Sequence, residues 1–559
     1  MWSDAVPGAR LMRLASKKAN IRTMSTGKTI ALLTATFGAL ALGCSSSGNQ
    51  LAGTGGQGAK AAGTGGQGGG GNSQTTTETI TLGQKGNPQV DILFVLDNGS
   101  STTEMQQKFS AQMPQFLNVL KGLPTPLDLH IAVATTDMGV PSDVMASLMS
   151  TAQGDNGAFQ STPRGTCTST TLTNGATYLT DDGDGVTNFT DPIASVLQCI
   201  SLVGDKGDGI IQPLAAAARA LGADNVLNGV PTPPATNVGF LRPDAYLAII
   251  FLVEQDDCSV PAGTKLFSLN GGEQNLTNPL GPISLYRCNE FGHLCKDPAS
   301  SDPQALIMPP LNPPPDARRT GSTPTLDLTD CQDNDQGTGL LTPVSTFVSQ
   351  IKALKADPDH QIIVSSISAP PAPYTVAWVP APSGSDTQPG ELWPEIEHSC
   401  GAAGGDDVNP EATMNPTDGS TGDPGVRLAA FVNGFSDSVL ASICDPSYAA
   451  AAAVIATKIG QLPNSETCLS GLIQTTATGA PNCTVVAQVP NASGATKSVP
   501  YASCQANDDT APCWTLSTGA PNCDGQTVAL VESPSAPSSS VAVSCQVCNP
   551  GAAVPGCLQ

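Results

Sequence analysis

The sequence predicts an α/β fold: a doubly wound, mostly parallel sheet with disulfide-pinned insertions, followed by a small β-rich, cysteine-rich C-terminal region. Apolar runs of strand length alternate with segments whose apolar residues recur every three or four positions. Such alternation is typical of a parallel sheet covered by helices. Beyond about residue 463 the helical patterns stop, and short Val/Thr runs lie between eight cysteines.

The body is predicted element by element from these patterns. Near-continuous apolar runs predict buried strands at residues 90–96, 129–135, 246–253 and 361–367. Amphipathic spacing predicts helices over about residues 105–120, 211–221, 344–354, 426–442 and 447–461. The intervals near 140–200, 258–340 and 371–425 exceed ordinary connections and contain seven cysteines, so we expect insertions at the ends of the sheet.

An apolar segment near the N-terminus predicts export. Residues 24–44 hold one lysine and then an uncharged apolar run, which is typical of a signal peptide. The run ends in Ala41-Leu42-Gly43-Cys44, which is similar to the lipobox of bacterial lipoproteins, where the cysteine becomes lipid-modified. An ordinary secretory signal that contains a cysteine is the alternative. We expect residues 1–43 to be a signal peptide with an over-long start.

Composition limits the partners. The chain has 24 basic and 47 acidic residues, a net charge of −23. This balance argues against binding nucleic acid or anionic lipid through charge. Only one apolar stretch approaches bilayer length, which excludes a multipass membrane protein. Residues 44–88 contain the repeat AGTGGQG and predict a flexible Gly-rich tether ahead of a domain at 89–462 and a region at 463–559.

The cysteine count agrees with export. If Cys44 carries lipid, an even number remains, which is compatible with eight disulfides in an oxidising compartment. Zinc is the competing interpretation, but the CxxC pair near the C-terminus has no partner at zinc-site spacing. The cysteines expected in disulfides, with pairing left open, are Cys167, Cys199, Cys258, Cys288, Cys295, Cys331, Cys400, Cys444, Cys468, Cys483, Cys504, Cys513, Cys523, Cys545, Cys548 and Cys557.

Acidic residues follow three of the predicted strands. Asp97 follows the first strand, Glu254 follows the strongest one, and Thr136 and Asp137 follow a third. Ligands bind open parallel sheets at the carboxyl ends of the strands. Oxygen ligands converging there would suit Mg²⁺ or another hard divalent cation. A competing interpretation is that Ser101 and Glu104 form a helix capping box without any metal.

The motif VDILFVLDNGSS at residues 90–101 resembles the first strand and metal loop of von Willebrand factor type A domains. With HIAVATTDMG, GDGIIQPLAAAARAL, FLVEQDDCS and YRCNEFGHLC, it is similar to the cysteine-containing A-domain lipoproteins common in myxobacteria. The resemblance covers about residues 89–461. It implies a metal-ion-dependent adhesion site whose first loop reads Asp-x-Ser-x-Ser, with Asp97 on the Asp, Gly99 on the first Ser and Ser101 on the second.

The resemblance is incomplete at the metal site. Gly99 has no hydroxyl, and the family's Thr falls near residues 208–210, where this chain has none. The third-loop Asp falls on Glu254, whose longer side chain can still reach a metal. A rebuilt site could draw further oxygens from Thr136, Asp137, Asp208 and Asp256.

Three functions are compatible with these patterns. The leading hypothesis is a lipid-anchored, outer-membrane binding or adhesion protein of the bacterial cell envelope, whose bound cation is completed by an acidic side chain of a partner protein. The second is a structural envelope protein whose metal site has decayed. The third is a secreted hydrolase that works through His398, which lies in the acid-rich motif ELWPEIEHSC. The common enzyme motifs HExxH, GxSxG and the P-loop do not occur.

Overall fold

A computed structural model describes residues 75–83, 88–123, 126–139, 154–164, 167, 172–267, 276, 278–315, 317–320, 323–335, 339–381, 391–401, 408–414, 420–465, 468–469, 471–490, 496–507, 512–518, 526–531, 540–549 and 554–557. All of them belong to one compact unit, Asn72–Gln559. Cys44 and the predicted signal peptide lie outside the described residues.

The described strands number twenty-two. They are β1 (Thr75–Gly83), β2 (Gln89–Leu96), β3 (Asp128–Thr135), β4 (Leu179–Asp181), β5 (Val226–Leu227), β6 (Val230–Pro231), β7 (Tyr246–Leu252), β8 (His293–Lys296), β9 (Leu306–Ile307), β10 (Arg318–Thr320), β11 (Thr323–Asp333), β12 (Ile362–Ser368), β13 (Tyr374–Pro380), β14 (Leu392–Gly401), β15 (Val408–Met414), β16 (Asp437–Ser442), β17 (Cys468–Leu469), β18 (Cys483–Pro490), β19 (Thr496–Ser503), β20 (Cys513–Thr518), β21 (Gln526–Val531) and β22 (Ser540–Cys548).

The described α-helices are fewer and mostly short. They are α1 (Thr103–Ser110), α2 (Met113–Lys121), α3 (Ile193–Ile200), α4 (Pro213–Leu221), α5 (Tyr286–Gly292), α6 (Val344–Lys352), α7 (Pro358–Gln361), α8 (Val426–Asn433) and α9 (Ala449–Ser465). Short 3₁₀ turns lie at Thr173–Gly175, Ala235–Asn237 and Cys504–Asn507. Among the described residues, no helix is both long enough and apolar enough to cross a membrane.

A six-stranded sheet in the order β16-β12-β7-β2-β3-β4 forms the centre of the body. Its pairings are parallel except that of β3 with β4. Strand β7 is buried along its whole length, and β2 from its second residue on, because helices cover both faces. Helices α1, α2, α3 and α9 share a core with one face, and α4, α6 and α8 with the other. Phe94 packs edge-on against Phe109 and Phe116, with ring centroids 5.6 and 5.7 Å away.

Two of the long intervals, residues 258–340 and 371–425, contain the strands of a second sheet. Its order is β15-β14-β13-β11-β8-β9, with β10 paired to β11. All these pairings are antiparallel except that of β14 with β15. Segments from 258–340 and 371–425 therefore pair with each other instead of standing as separate insertions. The sequence did not show this pairing, because the partner strands β11 and β13 are about forty residues apart along the chain.

A third sheet occupies the C-terminal region and includes a strand from the other end of the chain. Its order is β1-β22-β18-β19-β20-β21-β17. Strand β1 comes from residues 75–83, so the segment predicted as tether contains a paired strand. Val485, Val528, Val541, Val543 and Trp514 form much of this sheet's core.

The predicted fold class is therefore wrong. The parallel sheet is one of four sheets, and the described strands make twelve antiparallel pairings against six parallel ones. The chain is a mixed α/β structure, rich in strands, with several mostly antiparallel sheets. The parallel strands were predicted because a strand buried on both faces has a continuous apolar sequence. The polar, alternating strands of the other sheets gave a weaker signal.

Two predicted helices also have different bounds. The helix expected at 105–120 is split into α1 and α2 by a turn at Ala111 and Gln112. The helix expected at 426–442 ends at Asn433, and residues 437–442 form the edge strand β16. Gly434 follows α8, and the β-branched and small residues of DSVLAS then continue as a strand beside β12.

Disulfides are confirmed for fourteen of the sixteen predicted cysteines. The pairs are Cys167–Cys199, Cys258–Cys288, Cys295–Cys331, Cys400–Cys444, Cys483–Cys545, Cys504–Cys513 and Cys548–Cys557. Cys523 lies outside the described residues, as does the side chain of Cys468. Within the described part of the chain, the bonds of the body and those of the C-terminal sheet stay separate.

A buried ion pair joins the segment that follows β7 to helix α8. The guanidinium of Arg427 lies 3.0 Å from the Asp257 carboxylate, and both side chains are 0% exposed. Removing one partner of such a pair leaves a buried charge uncompensated. We expect Arg427→Met to lower the free energy of unfolding by about 3–5 kcal/mol, measured by urea denaturation.

Two variants control for this prediction. Lys352→Met removes a partly exposed pair with Asp359, 3.7 Å away, and should cost less than about 1 kcal/mol. The double variant Arg427→Met/Asp257→Leu should recover much of the loss, since no unpaired charge then remains. Equal destabilisation by Arg427→Met and Lys352→Met would contradict a structural role for the buried pair.

Candidate functional site

Three parallel strands end side by side and bring the predicted site residues together. Leu96 of β2 lies opposite Thr135 of β3 and Leu252 of β7. The amide of Asp97 donates to the Leu252 carbonyl at 2.9 Å, and the amide of Thr136 donates to the Leu96 carbonyl at 3.1 Å. The residues that follow these strands therefore meet at one sheet edge.

Asp97, Ser101 and Glu254 are neighbours at this edge. The Ser101 hydroxyl donates a hydrogen bond to Glu254 Oε1. Asp97 is 2% exposed, and its Oδ1 accepts the Gly99 amide at 2.9 Å. Its Oδ2 is buried and finds no hydrogen-bond partner among the described residues. The Glu254 amide and the Thr136 hydroxyl lie near enough to lower its pKa but do not form hydrogen bonds of 3.5 Å or less to this oxygen, so Oδ2 is incompletely satisfied.

The two carboxyl groups affect each other's ionisation. Burial raises the pKa of Asp97 to about 6, against the lowering effect of the Gly99 and Glu254 amides and the Thr136 hydroxyl. Burial and the nearby charge of Asp97 raise the pKa of Glu254 to about 8, although the Ser101 hydrogen bond lowers it. Two carboxyls this close, with little access to water, cannot both ionise cheaply without a positive charge between them.

The loop at about residues 204–212 packs against the loop that follows β2. The Gly207 amide donates to the Asn98 carbonyl at 2.8 Å. Gln106 on α1 donates through Nε2 to the carbonyls of Asp97 and Gly204, at 2.8 and 2.7 Å. Gln106 is 2% exposed and fixes both loops. Its role was not predictable from the sequence, because a Gln in an amphipathic helix gives no signal that it is buried.

Asp137 and Asp208 form a second carboxyl pair beside the first. They are 4% and 2% exposed and share a hydrogen bond between their side chains. Burial, followed by this contact with Asp208, raises the pKa of Asp137 to about 7. Thr136 directly precedes Asp137 and is 0% exposed; its hydroxyl lies near enough to Asp97 to lower that pKa but makes no hydrogen bond of 3.5 Å or less with the described residues.

Asp256 is engaged elsewhere. Its carboxylate lies 2.8 Å from His293 Nε2 and accepts the amides of Arg427 and Leu428 at the start of α8. Burial alone would raise the pKa of Asp256, but the hydrogen bond to His293 and its charge bring it below the ordinary value. The suggestion that Asp256 supplies a metal ligand is therefore not favoured, because its oxygens hold the second sheet to α8.

The capping-box interpretation of Ser101 is wrong. Helix α1 is capped at Thr102, with no side-chain hydrogen bond to the helix amides. The Ser101 hydroxyl turns instead toward Glu254. The metal-loop interpretation expects this hydroxyl to lie beside the other proposed ligands, and Glu254 is one of them.

His398 lies near the site but is paired with another acid. Its Nδ1 is 2.7 Å from Asp423 Oδ1, and the two side chains are 23% and 19% exposed. The Asp423 amide donates to the Glu254 carbonyl, so the pair is attached to the strand end that carries Glu254. The charge on His398 lowers the pKa of Glu254, and that on Asp423 raises it. His398 therefore acts electrostatically on the predicted site.

The donor set at this edge consists of oxygens and fits a hard cation such as Mg²⁺ or Mn²⁺ better than Zn²⁺ or Cu²⁺, which favour His and Cys ligands. Among the described residues, no group of three or more His, Cys, Asp and Glu side chains is arranged to hold a metal ion. Asp97, Glu254 and Ser101 offer two carboxylates and a hydroxyl, which suits Mg²⁺ retaining several waters. The orphaned Oδ2 of Asp97 is the atom that such an ion would satisfy. Cation binding stays a prediction.

The raised pKa values predict how stability depends on pH without a cation. A carboxyl whose pKa is raised on folding binds its proton more tightly in the folded state. Its contribution is therefore complete below about pH 4 and is lost as the pH rises through about 6 for Asp97 and about 8 for Glu254. In chelator, we expect the free energy of unfolding to fall by on the order of 2 kcal/mol between about pH 5 and pH 8.

Glu254→Gln should flatten the upper part of this curve, because glutamine cannot ionise. Thermal unfolding across the pH range measures the effect, and Glu104→Gln on the exposed face of α1 is the matched control. Parallel curves for the Glu254 and Glu104 variants would show that Glu254 does not carry the dependence.

Comparison with known proteins gives no family. No protein-family model matches the chain, and no curated protein is significantly similar to it. Two crystal structures of the pilus adhesin SpaC from Lactobacillus rhamnosus GG, one in an open conformation, match at 9% identity with TM-scores of 0.23 and 0.25. The alignments cover 85% of this chain and 41% of the adhesin, so the chain spans about two fifths of that protein's length. Scores this low carry no argument about fold or function.

Proposed function

We propose that this chain is a binding protein of the bacterial cell envelope that holds a divalent cation at Asp97, Ser101 and Glu254. The observation that carries the proposal is that two carboxyl groups, Asp97 and Glu254, meet where β2 and β7 end, close enough for the charge on Asp97 to raise the pKa of Glu254. Asp97 Oδ2 is buried and makes no hydrogen bond of 3.5 Å or less with the described residues.

The surrounding residues preorganise these oxygens. The Gly99 amide orients Asp97 Oδ1, Gln106 holds the Asp97 carbonyl, and Glu254 is positioned by the end of β7. Ser101 is exposed, so the site opens to solvent on the side of this hydroxyl. A bound divalent cation would offer an open coordination position to an acidic side chain of a partner protein. The carboxylates of Asp97 and Glu254 would supply the negative charge, and the residues packed around buried Asp97 would exclude water from one side of the ion.

The envelope location rests on the sequence. The apolar run that ends in Cys44 and the Gly-rich segment after it support a lipid anchor with a tether, and the disulfides support an oxidising compartment. Ser45 after the lipobox cysteine does not resemble an inner-membrane retention signal, which favours the outer membrane. The resemblance of residues 89–461 to A-domain lipoproteins supports the same assignment.

A structural envelope protein with a decayed site is the second candidate. Gly99 stands where the resemblance expects a serine, and the loop at residues 208–210 has no threonine. A proton on Glu254, with the Ser101 hydrogen bond, would satisfy the pair without a cation. The two candidates differ in whether cations stabilise the folded chain.

We expect millimolar Mg²⁺ or Mn²⁺ to raise the unfolding temperature of the oxidised chain. A ligand that binds only the folded state adds about 2.7 kcal/mol at a free concentration of a hundred times its Kd. Asp97→Asn should abolish the rise while the protein stays folded in chelator, and Asp359→Asn, an exposed acid on α7, should keep it. An unchanged unfolding temperature in the parent protein would favour the decayed site.

Gly99 offers a gain-of-function test of the same proposal. A Cβ added at Gly99 would lie 3.3 Å from Asp97 Oδ1 and 3.9 Å from Thr102 Cγ2, so a small side chain fits after a slight shift. Gly99→Ser should raise the affinity for Mg²⁺ by about tenfold, or 1.4 kcal/mol, by adding a hydroxyl ligand. Gly99→Ala is the steric control, and calorimetric titration measures both. Equal affinities for the two variants would argue against a cation beside Asp97.

A further inference from the structure

Strand β1 lies at the edge of a sheet built from the far end of the chain. All nine residues of β1 pair antiparallel with β22, from Thr75 opposite Cys548 to Gly83 opposite Ser540. More than 450 residues separate the two strands in sequence. Within the C-terminal sheet β1 is the outermost strand, and it pairs only with β22 among the described strands.

Side chains of the two strands make specific contacts across the pair. The hydroxyls of Thr79 and Ser544 are 2.9 Å apart, and Gln546 Nε2 donates to the Thr77 hydroxyl at 2.6 Å. Thr76 donates to Asn549 Oδ1 at 3.2 Å. Cross-strand pairs of this kind fix register, so the edge of β22 recognises the Thr-rich sequence of β1 and not merely any extended chain.

Several contacts that do not involve β1 also hold β22 in the C-terminal sheet. Its other edge pairs with β18, and its Val541 and Val543 are 1% and 0% exposed in the core of the C-terminal sheet. Disulfides tie Cys545 to β18 and Cys548 to Cys557. Strand β1 contains no cysteine, so only non-covalent pairing attaches it to this sheet. If β1 left, an intact edge of nine residues would remain as an acceptor.

We propose that the edge of β22 is a strand-binding site that accepts residues 75–83 from a second copy of this chain. The contacts in an exchanged dimer would be those of the single chain, because the strand and the edge are the same. Exchange of an identical element is a low-cost route to dimers. Pairing along the main chain supplies affinity, and the hydroxyl contacts supply specificity.

Chain connectivity favours exchange at an N-terminal strand. Only five residues of sequence separate β1 from β2, so exchange would keep every other described element in its own copy. The sequence before β1 is Gly-rich and free of cysteines between Cys44 and Cys167, so no disulfide holds it to its own copy. In dilute solution the short connection favours the strand of the same chain, and exchange grows with concentration.

The test mixes two full-length variants, each with one added cysteine. Thr79→Cys in one copy and Ser544→Cys in another can form a disulfide only when β1 of the first pairs with β22 of the second. The neighbouring ladder shows that opposed positions can be bridged, since Cys483 and Cys545 are register partners with Cα atoms 4.1 Å apart. The mixture is oxidised at low and high protein concentration and analysed on non-reducing gels and by peptide mass spectrometry.

We expect a heterodimer linked between residues 79 and 544, at least about ten times more abundant at high concentration than with a control pair. The control replaces Thr79→Cys with Glu104→Cys, which lies exposed on α1. The double variant Thr79→Cys/Ser544→Cys should form the bond within one chain at low concentration. That internal bond without any heterodimer would overturn exchange, and absence of both bonds would overturn the strand site itself.

Discussion

The ion pair between Arg427 and Asp257 is the contact around which the body is arranged. Asp257 follows β7 by five residues, and Arg427 begins α8, so the pair fixes one edge of the parallel sheet to a helix on its face. The adjacent Asp256 accepts amides of the same helix and pairs with His293 of the second sheet. Cys258 is bonded to Cys288 on α5. Charges buried this deeply are tolerated only when every partner is in place.

This junction determines the geometry of the candidate site. Glu254 lies two residues before Asp256, so its backbone is held between a buried strand and a fully bonded segment. Asp97 is held in the same way by the Leu252 carbonyl and Gln106. The electrostatic repulsion between the two carboxyl groups is therefore not relieved by moving them apart, because the backbone of each residue is fixed by its neighbours. Carboxyl groups whose pKa values are raised in this way cluster at functional sites of proteins.

Sequence patterns located the parts of the molecule that are buried on both faces. Strands β2, β3, β7 and β12 were predicted because a continuous apolar run of strand length is typical of the interior of a parallel sheet. The positions of Asp97 and Glu254 followed from where those runs stop, whereas Ser101 was implied by the resemblance of residues 90–101 to the A-domain metal loop. The second sheet and β1 were missed because their strands are short, polar or Thr-rich, and their partners are distant in sequence. Asp256 was included among the possible ligands for a related reason, since a strand-end acid looks the same in sequence whether it contacts a ligand or accepts the N-terminal amides of a helix.

The disulfide order has a consequence for folding. The described bonds join cysteines no more than 62 residues apart, and those of the body follow one another without crossing. Each bond of the body can therefore close without any cysteine that follows it in the sequence. Residues 75–83 are the exception, because more than 450 residues separate them from their partner strand. Five of the nine residues of β1 are threonines and one is a glutamate, a polar composition that disfavours pairing with the edges of other chains before β22 is available.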